Sequence, residues 1–159
     1  MLFRSRKAVL SLAKETEFGK RMVNAGRLST PSIYETLLST AEGDAWRGGP
    51  RPGASMADAP VAAQDGEPMF LTEAFIRAGT QFTVLAFGNG TAAEVPEGVG
   101  TIRIGDGGFT DVAGLAATRY DAEPGTSYLL RPDGYVAARF RHPTQPTLDA
   151  ALARAAGHN

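Results

Sequence analysis

Seven consecutive residues, Gln81-Phe82-Thr83-Val84-Leu85-Ala86-Phe87, set the tightest limit on the fold. Beyond Gln81 they are apolar or β-branched, with no alternation of polar and apolar positions. A strand of this kind is buried on both faces, so its sheet needs cover on two sides. Gly88-Asn89-Gly90 ends it, and Thr101-Ile102-Arg103-Ile104 reads as a second, shorter strand. Further on, Ser127-Tyr128-Leu129-Leu130-Arg131 and Tyr135-Val136-Ala137-Ala138-Arg139-Phe140 flank Pro132-Asp133-Gly134. Proline presets the turn, aspartate bonds its own backbone and glycine takes a positive φ. This pattern predicts a hairpin.

Helical patterns supply the cover. Thr72 to Ala78 carries Ala74, Phe75 and Ile76, with Gly79 as its stop. Asp111 to Tyr120 places Val112, Leu115 and Ala116 on one side. Pro146 to about Ala156 forms a terminal helix, with Thr147 as its cap and Leu148, Ala151, Leu152 and Ala155 as its buried stripe. From residue 81 the order is strand, connection, strand, helix, hairpin, helix. The expected class is α/β, a small sandwich of one sheet with helices on its faces. The order resembles a thioredoxin fold.

The redox form of that fold is closed to this chain. Its 159 residues include no cysteine, which removes disulfides, thiolate nucleophiles and cysteine metal sites together. Gly88-Asn89-Gly90-Thr91 stands where a thioredoxin places its reactive cysteine. Such folds also set a cis-proline immediately before the hairpin; here Pro124 comes early, and Gly125-Thr126 intervene. The reading is a thioredoxin-like sandwich lacking redox cysteines. His142 and His158 are the two histidines, too few for a three-histidine zinc site.

The N-terminal part reads differently. Leu2 to about Val23 has helical spacing in Val9, Leu12, Ala13, Phe18 and Met22, and Asn24-Ala25-Gly26 is its stop. Ser29-Thr30-Pro31-Ser32 opens a second predicted helix, with Ile33, Leu37 and Leu38 on its apolar side, ending near Glu42-Gly43. Residues 43–68 are rich in glycine and proline and leave little room for regular structure. The expected organisation is an N-terminal helical segment, 1–42, a Gly/Pro-rich linker, 43–68, and a thioredoxin-like domain, 69–159. Trp46, the only tryptophan, lies in the linker and is expected to anchor it on a neighbouring surface rather than to stack on a ligand.

The formal net charge of −1 gives no basis for nucleic-acid binding, although the first 30 residues hold seven basic residues against two acidic. The apolar run Ala8–Ala13 is too short for a signal-peptide core, and no run approaches the length of a membrane span. A cytoplasmic chain that binds neither nucleic acid nor membrane is the expectation.

Few residues stand out as chemistry. Arg139, Arg141 and His142 form a basic cluster after the hairpin, an anion site or, as the expected reading, a solvated strand end. Asp121 and Glu123 lie in a loop, where surface solvation is the default. Tyr120, Tyr128 and Tyr135 are expected in the core and on the sheet, and the Thr83 hydroxyl on a local backbone group.

Three stretches together carry a family resemblance. Asn24-Ala25-Gly26-Arg27-Leu28-Ser29 is followed by Pro31. Then come Arg51-Pro52-Gly53-Ala54 with Asp58-Ala59-Pro60, and Arg131-Pro132-Asp133-Gly134-Tyr135-Val136-Ala137. The chain, from about residue 15 to 155, resembles the C-terminal part of FAD-dependent aromatic hydroxylases, the group of phenol hydroxylase, hydroxyphenylpropionate hydroxylase and polyketide ring hydroxylases. Ala138 departs from it, since the family often has tryptophan there. The resemblance implies that residues 1–42 match the end of the substrate-domain helices. It also implies that residues 69–159 match an appended thioredoxin-like domain used in packing or subunit contacts.

The flavin machinery does not carry over. No GxGxxG follows a strand. Gly105-Asp106-Gly107 is similar to the family's flavin-ribose motif but lacks its context and reads as a turn. No catalytic, cofactor-binding or metal residue is therefore assigned, and FAD is implied only for the full-length family. The leading expectation is a non-catalytic structural or interaction domain, in a homodimer or beside a flavin-bearing partner subunit. The alternatives are an accessory part of an active flavin-dependent hydroxylase assembly, or a small-molecule binding module using the space near Gly88 to Glu94.

Overall fold

The computed structural model describes residues 32–34, 36–88 and 94–158. The chain divides into two units, Met1–Ser32 and Ile33–Asn159. The helix expected over Leu2–Val23, its stop, and residues 89–93 after the central strand lie outside the described residues.

The second unit runs in the order β1 (Pro60–Ala62), β2 (Pro68–Phe70), α1 (Leu71–Ala78), β3 (Thr83–Phe87), β4 (Gly100–Ile104), β5 (Thr110–Asp111), a 3-10 turn (Val112–Gly114), α2 (Leu115–Arg119), β6 (Ser127–Leu130), β7 (Val136–Phe140) and α3 (Gln145–Ala155). Four strands form a mixed sheet in the order β4-β3-β6-β7. β3 runs parallel to β4, with Leu85 opposite Ile102, and antiparallel to β6, with Leu85 opposite Tyr128. β6 and β7 are the expected hairpin. A smaller sheet has the order β2-β1-β5.

The unbroken apolar run is explained by what lies on each side of β3. Leu85 and Phe87 face one core with Ile102, Ile104, Tyr128 and Leu130, covered by Leu71, Ala74 and Phe75 of α1 and Ala116 of α2. Val84 and Ala86 face a second core with Leu129 and Ala138, covered by Leu148, Ala151 and Ala155 of α3. All five residues of β3 are buried. The α/β sandwich stands as expected.

Local chemistry fixes the hairpin and helix ends. Gly134 takes φ +79, its N–H donates to Arg131 O at 2.9 Å, and Asp133 Oδ1 accepts the Tyr135 N–H at 3.2 Å. The N-cap of α3 is Thr144, not Thr147; Thr147 sits one turn inside and its Oγ1 accepts the Thr144 N–H at 2.9 Å.

Two expected helices differ. Residues 36–42 form a turn and extended chain, not a helix. Their region's donors go elsewhere: Tyr34 N–H to Gly53 O at 2.8 Å and Thr40 N–H to Ala137 O at 2.9 Å. Ile33, Leu37 and Leu38 are exposed rather than packed. Between Asp111 and Tyr120 the helix is broken, because Ala113 (φ 57) and Gly114 (φ 68) are left-handed. This bend turns the Asp111 carboxylate onto the N–H groups of Ala116 and Ala117, both at 2.8 Å. Ala116 stays buried, but Val112 and Leu115 are 41% and 37% exposed.

Residues 43–68, read above as a linker, hold β1 and the first residue of β2. They lie against the domain. Gly53 N–H donates to Val136 O at 2.8 Å, Val136 N–H to Ala54 O at 2.9 Å, and Met56 N–H to Gly134 O at 2.8 Å. Residues 53–56 thus cover the outer edge of the chain from Gly134 to Val136, the start of β7, which would otherwise offer unpaired backbone groups. Ala59 and Val61 are fully buried.

Gly49 is the tightest point of this segment. Its φ is +78, and a Cβ there would lie 2.7 Å from both Tyr120 O and Tyr128 Oη. Gly49→Ala is expected to cost at least about 2 kcal/mol, from strain plus contact with a backbone carbonyl. Gly66 has φ +87 with open space around it, so Gly66→Ala should cost only about 1 kcal/mol. Urea midpoints of the two variants separate the two contributions.

Candidate functional site

The two arginines of the sequence cluster meet at one ring. Residues two apart on a strand share a face, and Arg139 on β7 and Arg141 just past it both reach Trp46. Arg139 Cζ lies 4.2 Å and Arg141 Cζ 3.8 Å from the indole centroid. The ring's edge meets Tyr128 at 5.7 Å. Trp46 Nε1 is buried without a hydrogen-bond partner among the described residues. Two guanidinium groups over its ring hold the indole as an anchor.

Each guanidinium is also occupied at its edge. Arg139 is 6% exposed; its Nε and Nη2 both meet Glu42 Oε1 at 2.6 Å, and its Nη1 donates to Gly48 O at 2.8 Å. Arg141 Nη2 donates to Asp121 Oδ2 at 2.7 Å, its Nη1 donates to Asp121 O, and its Nε lies 3.7 Å from Glu123 Oε1. Its backbone N–H donates to Asp44 Oδ2 at 2.9 Å. Asp121 additionally accepts the Arg47 N–H at 2.9 Å. That bond first, and the Arg141 guanidinium second, hold its carboxyl below the ordinary carboxylate range.

These contacts correct two expectations. Arg139 and Arg141 are neither a free anion site nor a solvated strand end, because carboxylates and carbonyls of residues 42–48 and 121 already fill them. Asp121 and Glu123 are not merely solvated, because Arg141 reaches both. His142 stands apart from the clamp, exposed and close against Gly125. Glu42 and Asp44 were missed, since their partners lie 97 residues away and no local pattern marks them.

Below the tryptophan is an aromatic core. The Tyr120 and Tyr128 rings meet edge-on at 4.9 Å, and Phe87 packs on Tyr120 at 5.5 Å. Tyr128 Oη donates to Tyr120 O at 2.6 Å, and Tyr120 Oη to Ala57 O at 2.7 Å. Burial pushes the Tyr128 phenol up to about 12 and that of Tyr120 up as well. Both stay protonated donors at neutral pH, unsuited to base or nucleophile chemistry. Both are core residues as expected, while Tyr135 is half-buried and meets Tyr34 at 5.4 Å. The Thr83 hydroxyl donates to Gln81 O at 3.3 Å, also as expected.

The space after β3 is a cavity of about 220 Å³ bounded by Phe87, Gly88, Ile104, Gly105, Glu123 and Pro124. The described residues do not fit a flavin dinucleotide there. Gly105-Asp106-Gly107 is a turn, with Gly108 N–H donating to Gly105 O at 3.0 Å. Gly105 and the next residue after the turn, Gly108, serve close contact between chain segments: a Cβ on Gly105 would lie 3.2 Å from Gly88 Cα, and one on Gly108 would run into Arg103 O, while Gly107 has open space around it. A strand follows, not the helix N-terminus that a pyrophosphate needs. Among the described residues there is no cluster of three or more metal-ligating side chains.

Three outcomes follow. Arg139→Met leaves Glu42 unpaired and Trp46 uncovered on one face, and should cost about 2 kcal/mol, since Glu42 is partly solvated; urea unfolding followed by Trp46 emission measures it. The Asp121 contribution is complete above the usual carboxylate pKa, about 3.9, and is lost as pH falls through its lower folded value. Asp121→Asn should therefore flatten the loss of stability below about pH 4. At the other end, the raised Tyr128 phenol contributes stability that is whole below about pH 10 and lost as pH rises through about 12. Tyrosinate absorbance in native and urea-unfolded protein should show the difference.

Residues 49–159 match the family described as aromatic-ring hydroxylase, C-terminal. No curated protein matches the chain. Among solved structures it is similar to the flavin-dependent monooxygenase PieE in complex with FAD and substrate, with 23% identity and a TM-score of 0.65 over 98% of this chain and 30% of that one. It is similar to aklavinone-11 hydroxylase in a ternary complex with FAD and aklavinone, with 26% identity and a TM-score of 0.62 over 79% of this chain and 26% of that one. A third is the substrate-free rebeccamycin biosynthetic enzyme RebC, with 23% identity and a TM-score of 0.60 over 98% and 28%. The chain spans under a third of the length of these proteins. It belongs to the aromatic-ring hydroxylase C-terminal family.

Proposed function

We propose that the chain acts as the non-catalytic C-terminal domain of a flavin-dependent aromatic hydroxylase, serving packing and subunit contacts in a homodimer or beside a flavin-bearing subunit. One observation carries the reading. The side chains best suited to chemistry here, Arg139, Arg141, Asp121, Tyr120 and Tyr128, are all engaged with one another, with residues 42–48 or with backbone carbonyls. What they do is hold the segment before the domain onto its sheet. The strand order β4-β3-β6-β7, with β6 antiparallel to its neighbours, supports the thioredoxin-like description.

In this reading the flavin belongs to another part of the assembly, as the FAD of PieE and of aklavinone-11 hydroxylase belongs to chains more than three times as long. The domain's contribution to hydroxylation is then architectural. Titration of the chain with FAD should give no saturable change in flavin fluorescence up to tens of micromolar, and light scattering should give the mass of a dimer. Stoichiometric flavin binding would overturn the non-catalytic reading. A monomer that also ignores an added flavin subunit would overturn the contact role.

A further inference from the structure

β4 ends the four-stranded sheet, and the described residues cover its outer edge only in part. Gly100 N–H donates inward to Phe82 O at 2.7 Å, and Ile104 O accepts inward from Gly88 N–H at 2.8 Å. Along a strand in a parallel ladder, alternate residues direct their backbone groups to opposite sides. Gly100, Ile102 and Ile104 therefore address β3, while Thr101 and Arg103 address the outside. Phe109 N–H takes Arg103 O at 2.8 Å. The outward Thr101 N–H, Thr101 C=O and Arg103 N–H have no hydrogen-bond partner among the described residues.

A cavity of about 450 Å³ runs beside this open stretch, between Ala63 and Gln64 on one side and Thr101, Arg103 and Phe109 on the other. Its volume is in the range that binding sites occupy. Arg103 is the one charged residue among those lining it, and its guanidinium has no partner among the described residues. Among the described residues no carboxylate lines the cavity. Gln64 Nε2 is fixed on Gly107 O at 2.7 Å, which holds the far wall in place.

We propose that this edge takes an extended, acidic segment of a partner protein as an added strand. The unpaired groups of Thr101 and Arg103 are a template for an extended backbone. Thr101 and Arg103 project to the same face of β4. A strand laid alongside presents every second side chain to that face, and the lone cation there selects a carboxylate. Phe109 supplies an apolar wall for the neighbouring side chain. The inference goes beyond the packing role and does not depend on a flavin partner.

The probe is the peptide acetyl-Thr-Val-Glu-Val-Thr-amide, titrated into the isotope-labelled full chain with amide exchange read by NMR. Exchange at Thr101 and Arg103 should slow by at least about tenfold at saturation. Arg103→Gln should weaken binding by about tenfold, a change that reads directly in Kd. A peptide with lysine in place of glutamate should not bind. Thr101→Pro removes an outward N–H that no ladder bond uses, so it is compatible with the edge strand and should abolish binding; if it fails to fold, Arg103→Gln still decides. Absence of protection at Thr101 and Arg103 in millimolar peptide would overturn the proposal. So would equal response to sodium acetate, which marks a small-anion site, or unchanged binding by a folded Thr101→Pro.

Discussion

The packing of the described part of the domain depends on one stack, in which the guanidinium groups of Arg139 and Arg141 both lie over Trp46. Neither arginine belongs in a buried place by itself, because a charge taken out of water is costly unless paired. Here each has a carboxylate at its edge and an aromatic face at its plane. Glu42 and Asp121 come from segments far apart in sequence, so the stack joins the chain before the domain, the hairpin strand and the loop before it. The Tyr128 ring meets the same indole edge-on, which links this charged layer to the aromatic core.

The arrangement explains why a segment so rich in glycine and proline is ordered. Residues 43–56 have little regular structure of their own and few apolar side chains to bury. Their order comes from outside: from the two arginines, from backbone bonds to Val136 and Gly134, and from a glycine at 49 that lets the chain pass against Tyr120. Loop-closure entropy grows only slowly with length, so a handful of such contacts can fix a long irregular path.

How far the sequence reveals this depends on the range of the interactions. β3, the Pro132-Asp133-Gly134 hairpin, α1 and α3 were legible because their signals are local: an unbroken apolar run, a turn tripeptide, helical spacing. Even the misplaced cap of α3 was off by three residues within the same Thr-x-x-Thr unit. The segment 36–59 was not legible, because the backbone donors that fix it to the sheet, those of Thr40, Gly53 and Met56, pair with Ala137, Val136 and Gly134, far along the chain, and its side chains follow no period. The broken helix after Asp111 failed for a different reason. Ala113 has a high helix propensity, yet the Asp111 carboxylate captures the N–H groups of Ala116 and Ala117 only if Ala113 turns left-handed. The candidate site was misjudged the same way: Arg139 and Arg141 look like surface charge until Glu42, Asp44 and Trp46 are brought to them.

The covering of β7 by residues 53–56 leaves the four-stranded sheet with unequal ends. A sheet open at both ends can add molecules head to tail without limit and so form fibres. At the start of β7 the chain's own residues 53–56 occupy that place, so a second molecule pairing there must first displace them. Growth through this end of the sheet thereby costs more than pairing at β4, and one short irregular segment achieves it.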